Sequence, residues 1–180
     1  MGSQAVAWSI EQLLEAVAAL PAQRLLGVDG LTLSGKTWVA ERIAREFGWS
    51  HLDGDDFIRD GTRPHPQALD LVALKQRVDE APVPIVLSTI MLQSVCEAIA
   101  CPGPSTVYVR RRNPDLSFAR PEFYEDFQPD HILADVAEFC GLFGYGPDEP
   151  IFDQQFVHYR VRYNPLSNAA VLFENVFAGS

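Results

Sequence analysis

The chain has 180 residues, 47% of them apolar, and a formal net charge of −10. That length allows one domain, residues 1–180, with a sizeable core, and no apolar run is long enough to span a bilayer. The excess of acid argues against a nucleic-acid partner, which needs clustered cations. Met1 to Leu20 contains Glu11 and Glu15 and no basic residue, so neither a secretory signal nor a transit peptide is expected. Cys96, Cys101 and Cys140 lack metal-site spacing, and reduced thiols in a cytoplasmic protein are expected.

Ser9 reads as the N-cap of a first helix, with Leu13, Leu14, Val17 and Leu20 behind it and Pro21 as its stop. Arg24-Leu25-Leu26-Gly27-Val28 is a short apolar run suited to a buried strand. Trp38 to Phe47 carries a helical apolar stripe and ends at Gly48. Trp49 to Leu52 reads as a second strand, running into Asp53-Gly54-Asp55-Asp56-Phe57. Arg59 to Gln67 is a Pro- and Gly-punctuated loop, and Leu69 to Val78 is helical. Pro84 to Ser88 is a third strand and Met91 to Ile99 the helix after it. Ser105 to Val109 is a fourth strand, leading directly into Arg110, Arg111 and Arg112. Phe118 to Phe143 is expected to form two short helices around Pro121 and Pro129, followed by a loop from Gly141 to Pro150. Asp153 to Tyr163 is helical, Asn164-Pro165 breaks it, and Ala169 to Phe173 is a fifth strand. Strands alternating with helices imply a three-layer α/β fold, a five-stranded parallel sheet flanked by helices.

Between the first strand and the second helix stand Gly30, Leu31, Thr32, Leu33, Ser34, Gly35, Lys36 and Thr37, which fit the pattern G-x-x-x-x-G-K-[ST] at every fixed position. Glycines let the main chain approach phosphate oxygens, successive backbone N–H groups point inward, and the following helix turns its positive end to the same anion. Lys36 is then placed for the β- and γ-phosphates, and the Thr37 hydroxyl for Mg²⁺. This is the signature of the P-loop NTPase fold. Acids at the carboxyl end of a neighbouring strand, Asp53, Asp55 and Asp56, lie where open α/β sheets bind ligands. The four histidines divide: His51 and His131 are read as structural, His158 as a packing or surface residue, and His65 faces the expected acceptor pocket.

The chain resembles the uridine kinase–phosphoribulokinase branch of the P-loop kinases. Gly30 to Thr37 matches the loop, Asp55-Asp56-Phe57-Ile58-Arg59 resembles that branch's Asp-Ser-Phe-Tyr-Arg segment, and His65-Pro66-Gln67-Ala68-Leu69-Asp70 resembles His-Pro-Asp-Ala-Phe-Asp. Tyr159 to Pro165 with Ala169 to Phe173 resembles the stretch before its last strand. The resemblance implies an ATP- and Mg²⁺-dependent kinase acting on a hydroxyl of a nucleoside- or sugar-like metabolite. Lys36 and Asp55 would be catalytic, with Asp55 the base and, beside Thr37, a metal ligand. Phe57, Arg59 and His65 would line the acceptor site, and Arg110, Arg111 and Arg112 would act as lid arginines over the nucleotide.

Two departures stand out. Ser88-Thr89 replaces the branch's usual Glu-Gly at the end of the third strand, leaving Asp53, Asp55 or Asp56 to supply the missing carboxylate. Pro64 replaces an aspartate that contacts ribose hydroxyls in nucleoside kinases. The competing reading is a nucleotide-binding regulatory protein on a kinase fold with little or no transfer activity, and Ser88 is its best support.

Overall fold

Short apolar runs joined by amphipathic helices bury their strands on both faces only in a parallel sheet. The computed structural model describes residues 4–61, 63–82, 84–115, 117–118, 120–125, 127–145 and 151–176. In order these form β1 (Ala5–Ala7), α1 (Ile10–Ala18), β2 (Leu25–Gly30), α2 (Lys36–Phe47), β3 (Ser50–Asp53), α3 (Leu71–Glu80), β4 (Ile85–Ser88), α4 (Leu92–Ala98), β5 (Ser105–Arg112), α5 (Pro129–Phe143), α6 (Phe152–Tyr163), α7 (Pro165–Asn168) and β6 (Val171–Val176). The sheet order is β1-β6-β5-β2-β4-β3, and every pairing is parallel.

Alternation along the strands sorts the core into two layers. Leu26, Val28, Val86, Val107, Val109, Val171 and Phe173 face α1 and α2, where Leu13, Val17, Val39 and Ile43 meet them. Leu25, Ile85 and Leu87 face α3 and α4, while Tyr108 and Leu172 face the aromatic cluster of Phe118, Phe123, Phe156 and Tyr159.

The sheet has six strands where five were expected. Ala5–Ala7 carries no strand periodicity of its own; it becomes a strand because β6 offers an open edge, and the Ala5 amide donates to Ala170 at 3.1 Å. β5 runs on through Arg112, taking in all three arginines, because β6 continues beside it with Arg110 opposite Glu174. Instead of two short helices, a 3-10 turn at Pro121–Phe123 precedes one long helix, α5. That helix absorbs Gly141 to Phe143, which were expected in a loop, and ends at Gly144 with φ 72°. The rest of the expected loop, residues 146–150, lies outside the described residues. α3 starts two residues later than expected, since Leu69 pairs with Ile58 in an antiparallel bridge and Asp70 caps the helix through the Ala73 amide. All three cysteines are free thiols. No helix among the described residues is long and apolar enough to cross a membrane.

Candidate functional site

The Gly30–Thr37 loop joins β2 to α2 at the carboxyl edge of the sheet, where β4 and β5 diverge on either side of β2. Its shape demands glycine at the start. Gly30 has φ +151°, and a Cβ there would come within 2.5 Å of the Val109 carbonyl and 2.8 Å of Ser34 Oγ. Gly35, with φ 91°, caps α2. Lys36 folds back over the loop, its Nζ donating to the Leu31 carbonyl at 3.0 Å. Burial draws its pKa down, and Asp29, Asp55 and Asp53 pull it up again. The loop is braced from β6 and β5, for Asn175 Nδ2 donates to the Ser34 carbonyl at 2.8 Å and Arg111 Nη1 to the Leu33 carbonyl at 3.3 Å.

The acids divide the work. Thr37 Oγ1 donates to Asp53 Oδ2 at 2.7 Å, and Asp53 Oδ1 accepts from the Asp55 amide at 3.1 Å, opening the 3-10 turn Gly54–Phe57. Partial burial and the neighbouring Asp53 carboxylate hold the Asp55 pKa above the usual range, against the opposing pull of Lys36. At the end of β4, next to the loop's own strand, buried Ser88 shares a hydrogen bond with His51 Nε2 at 2.9 Å. Gly54 packs so tightly on Thr89 that a Cβ would fall 2.5 Å from its hydroxyl.

Among the described residues no group of three His, Cys, Asp or Glu side chains could hold a metal alone. The donor set nevertheless suits Mg²⁺, an ion that keeps water and phosphate oxygens and takes few protein ligands. Thr37 and Asp53 would hold it from the protein side, with Asp55 beside them. Of Asp53, Asp55 and Asp56, Asp53 is the one whose carboxylate accepts from the Thr37 hydroxyl.

The expected acceptor residues are less closely grouped. Phe57 packs partly buried against the cluster of Leu69, Leu74 and Leu87. Arg59 is 71% exposed and pairs with Asp70 at 3.3 Å. His65 lies in a cleft of about 450 Å³ between its own loop, α4 and α6, lined also by Met91, Glu97, Gln155, Tyr159 and Arg162. The Gln155 side chain accepts from the His65 amide at 2.8 Å. Burial, and after it the Lys36 charge, depress the His65 pKa to about 4, so the ring is neutral.

The three arginines also separate. Arg110 and Arg112 both pair with Glu174, which is fully buried on β6, the latter at 2.6 Å. Their guanidinium groups lie over the Phe118 ring at 5.1 and 3.8 Å. Arg111, on the opposite face of β5, reaches the loop. Three residues that reasoning from sequence missed complete the surroundings: Asp29, Tyr159 and Glu174. Asp29 left a signal, an acid inside a strand whose every residue is buried.

No family model matches the chain, and neither does any curated protein. Among solved structures, a gluconokinase from Sinorhizobium meliloti 1021 is 16% identical, with 86% of this chain and 83% of that one covered and a TM-score of 0.42. A sugar kinase from Janibacter sp. HTCC2649 is 14% identical, covering 83% of this chain and 99% of that one with a TM-score of 0.38.

Proposed function

We propose that the protein is an ATP-dependent kinase that moves the γ-phosphoryl group of ATP to a hydroxyl of a small nucleoside- or sugar-like metabolite. The observation that carries this reading is the conjunction at one loop: Lys36 folded over the Gly30–Thr37 backbone while the Thr37 hydroxyl meets Asp53 at 2.7 Å. Phosphoryl transfer asks for positioning and charge neutralisation more than for covalent chemistry. The loop amides and Lys36 hold the phosphates. Thr37 and Asp53 would hold Mg²⁺, whose charge would offset that of the phosphates. Asp55 accepts the proton as the acceptor oxygen bonds to the γ-phosphorus, and ADP departs with the electrons of the broken P–O bond. Of the arginines, Arg111 is the one set beside the loop for the transferred charge.

The test is Lys36→Ala. Loss of a charge-assisted contact of this kind costs about 100-fold in Mg·ATP affinity, read by calorimetry on folded protein. Wild-type affinity in the variant would end the phosphate-loop reading. Ser88, with no carboxylate to offer at the end of β4, favours a second reading, a nucleotide-binding regulator. Mg·ATP binding without transfer to any acceptor hydroxyl would select it.

A further inference from the structure

Asp29 stands immediately before the loop and is fully buried. Its Oδ1 accepts from the Gly30 amide at 2.7 Å and its Oδ2 from the Tyr159 hydroxyl at 2.5 Å. The Tyr159 oxygen accepts in turn from the Gln93 amide at 3.3 Å. The end of β2, the first turn of α4 and the middle of α6 are therefore joined through the Asp29 carboxylate and the Tyr159 hydroxyl, and Gly30 passes that connection to the loop.

A buried carboxylate holds one orientation only if donors meet its oxygens. Here the orientation matters beyond stability, because the same group fixes the Gly30 peptide, where the loop's run of inward-facing amides begins. We propose that Tyr159 is a positioning residue: through Asp29 it holds the Gly30–Thr37 loop in the form that accepts nucleotide phosphates. The hydroxyl is what serves this role. The ring alone already packs against Phe156 and Tyr163, with centroids at 6.1 and 5.1 Å, and phenylalanine would keep those contacts. The same ring is a wall of the cleft that holds His65, and Gln155, one helical turn earlier, fastens the His65 loop. The anchor of the phosphate loop is thus built into the cleft on the acceptor side.

The inference rests on the phosphate-loop reading, and the experiment separates the two. Mg·ATP affinity is measured by calorimetry for the wild type, Tyr159→Phe, Asp29→Asn and the double variant, well below every melting temperature, so that global stability does not enter. Tyr159→Phe is expected to bind about 10-fold more weakly, and Asp29→Asn at least as weakly. The double variant should lose nothing beyond Asp29→Asn, because the hydroxyl acts through the carboxylate. A Tyr159→Phe protein that binds as the wild type does, or losses that multiply in the double variant, overturn the inference while the loop reading stands. A wild type that does not bind Mg·ATP overturns both. If Asp29→Asn fails to fold, hydrogen exchange at the Gly30 amide decides: faster exchange in nucleotide-free Tyr159→Phe supports the inference, and unchanged exchange overturns it.

Discussion

The Thr37 hydroxyl, at the start of α2, donates to Asp53 at 2.7 Å although β4 lies between β2, which leads into the loop, and β3, which carries Asp53. The carboxylate that serves Thr37 comes from one strand further out than the position where Ser88 stands, and Ser88 is occupied with His51.

If Asp53 steadies a metal, its charge matters only when the metal is present. Asp53→Asn keeps an acceptor for Thr37 but offers Mg²⁺ a weaker ligand, so Mg·ATP affinity should fall about 10-fold or more while metal-free ATP binds as before. Calorimetry with and without Mg²⁺ measures both. Equal losses under the two conditions would assign Asp53 to loop structure alone.

Asp55 and Asp56 are neighbours with different surroundings. Lys36, Asp53 and partial burial all act on Asp55, whose raised pKa suits a group that takes a proton. Asp55→Asn should retain Mg·ATP binding and lower phosphoryl transfer about 100-fold or more, with Asp56→Asn costing clearly less. Coupled-assay kcat values rank the two; a reversed order would move the base to Asp56.

The arginines should separate stability from turnover. Glu174→Ala leaves Arg110 and Arg112, 18% and 13% exposed, without their buried partner, and breaking a buried pair from one side costs about 3–5 kcal/mol. Arg111→Ala should change urea unfolding little and lower kcat, because charge develops on the transferred group. Full turnover in Arg111→Ala, or native stability in Glu174→Ala, would contradict this division.

His65 and Asp29 set opposing pH dependences. The folded-state pKa of His65 is depressed to about 4, below the 6.5 of an unfolded histidine, so its contribution is complete above pH 6.5 and is lost as pH falls toward 4. The difference amounts to roughly 3 kcal/mol at most. Asp29 runs the other way. Burial raises its pKa to about 6 despite the Tyr159 hydrogen bond, so the fold gains stability as pH falls through that value toward the unfolded 3.8. His65→Asn should therefore gain on the wild type by a few kcal/mol between pH 7.5 and pH 4.5, measured by urea unfolding at both. Parallel losses in the two proteins would show that His65 is protonated in the fold.

What the chain determined by itself is what neighbouring residues determine together. Gly30 needs its φ because the loop turns within a few residues, and α2 ends at Gly48, φ +66°, where its apolar stripe ends. The alternation of Leu25, Leu26, Ile85, Val86 and Leu87 between the two layers follows from the period of an extended chain. The partners of buried charges follow no such local rule. Asp29 and Tyr159 are 130 residues apart, and Arg112 and Glu174 are 62 apart. Ala5–Ala7 is a strand only because the edge of β6 is there to pair with it. In each case an ion or a free backbone group is stabilised by whichever element the sheet order sets beside it, so that order, which no short stretch of sequence contains, decided which acid serves Thr37 and which arginine reaches the loop.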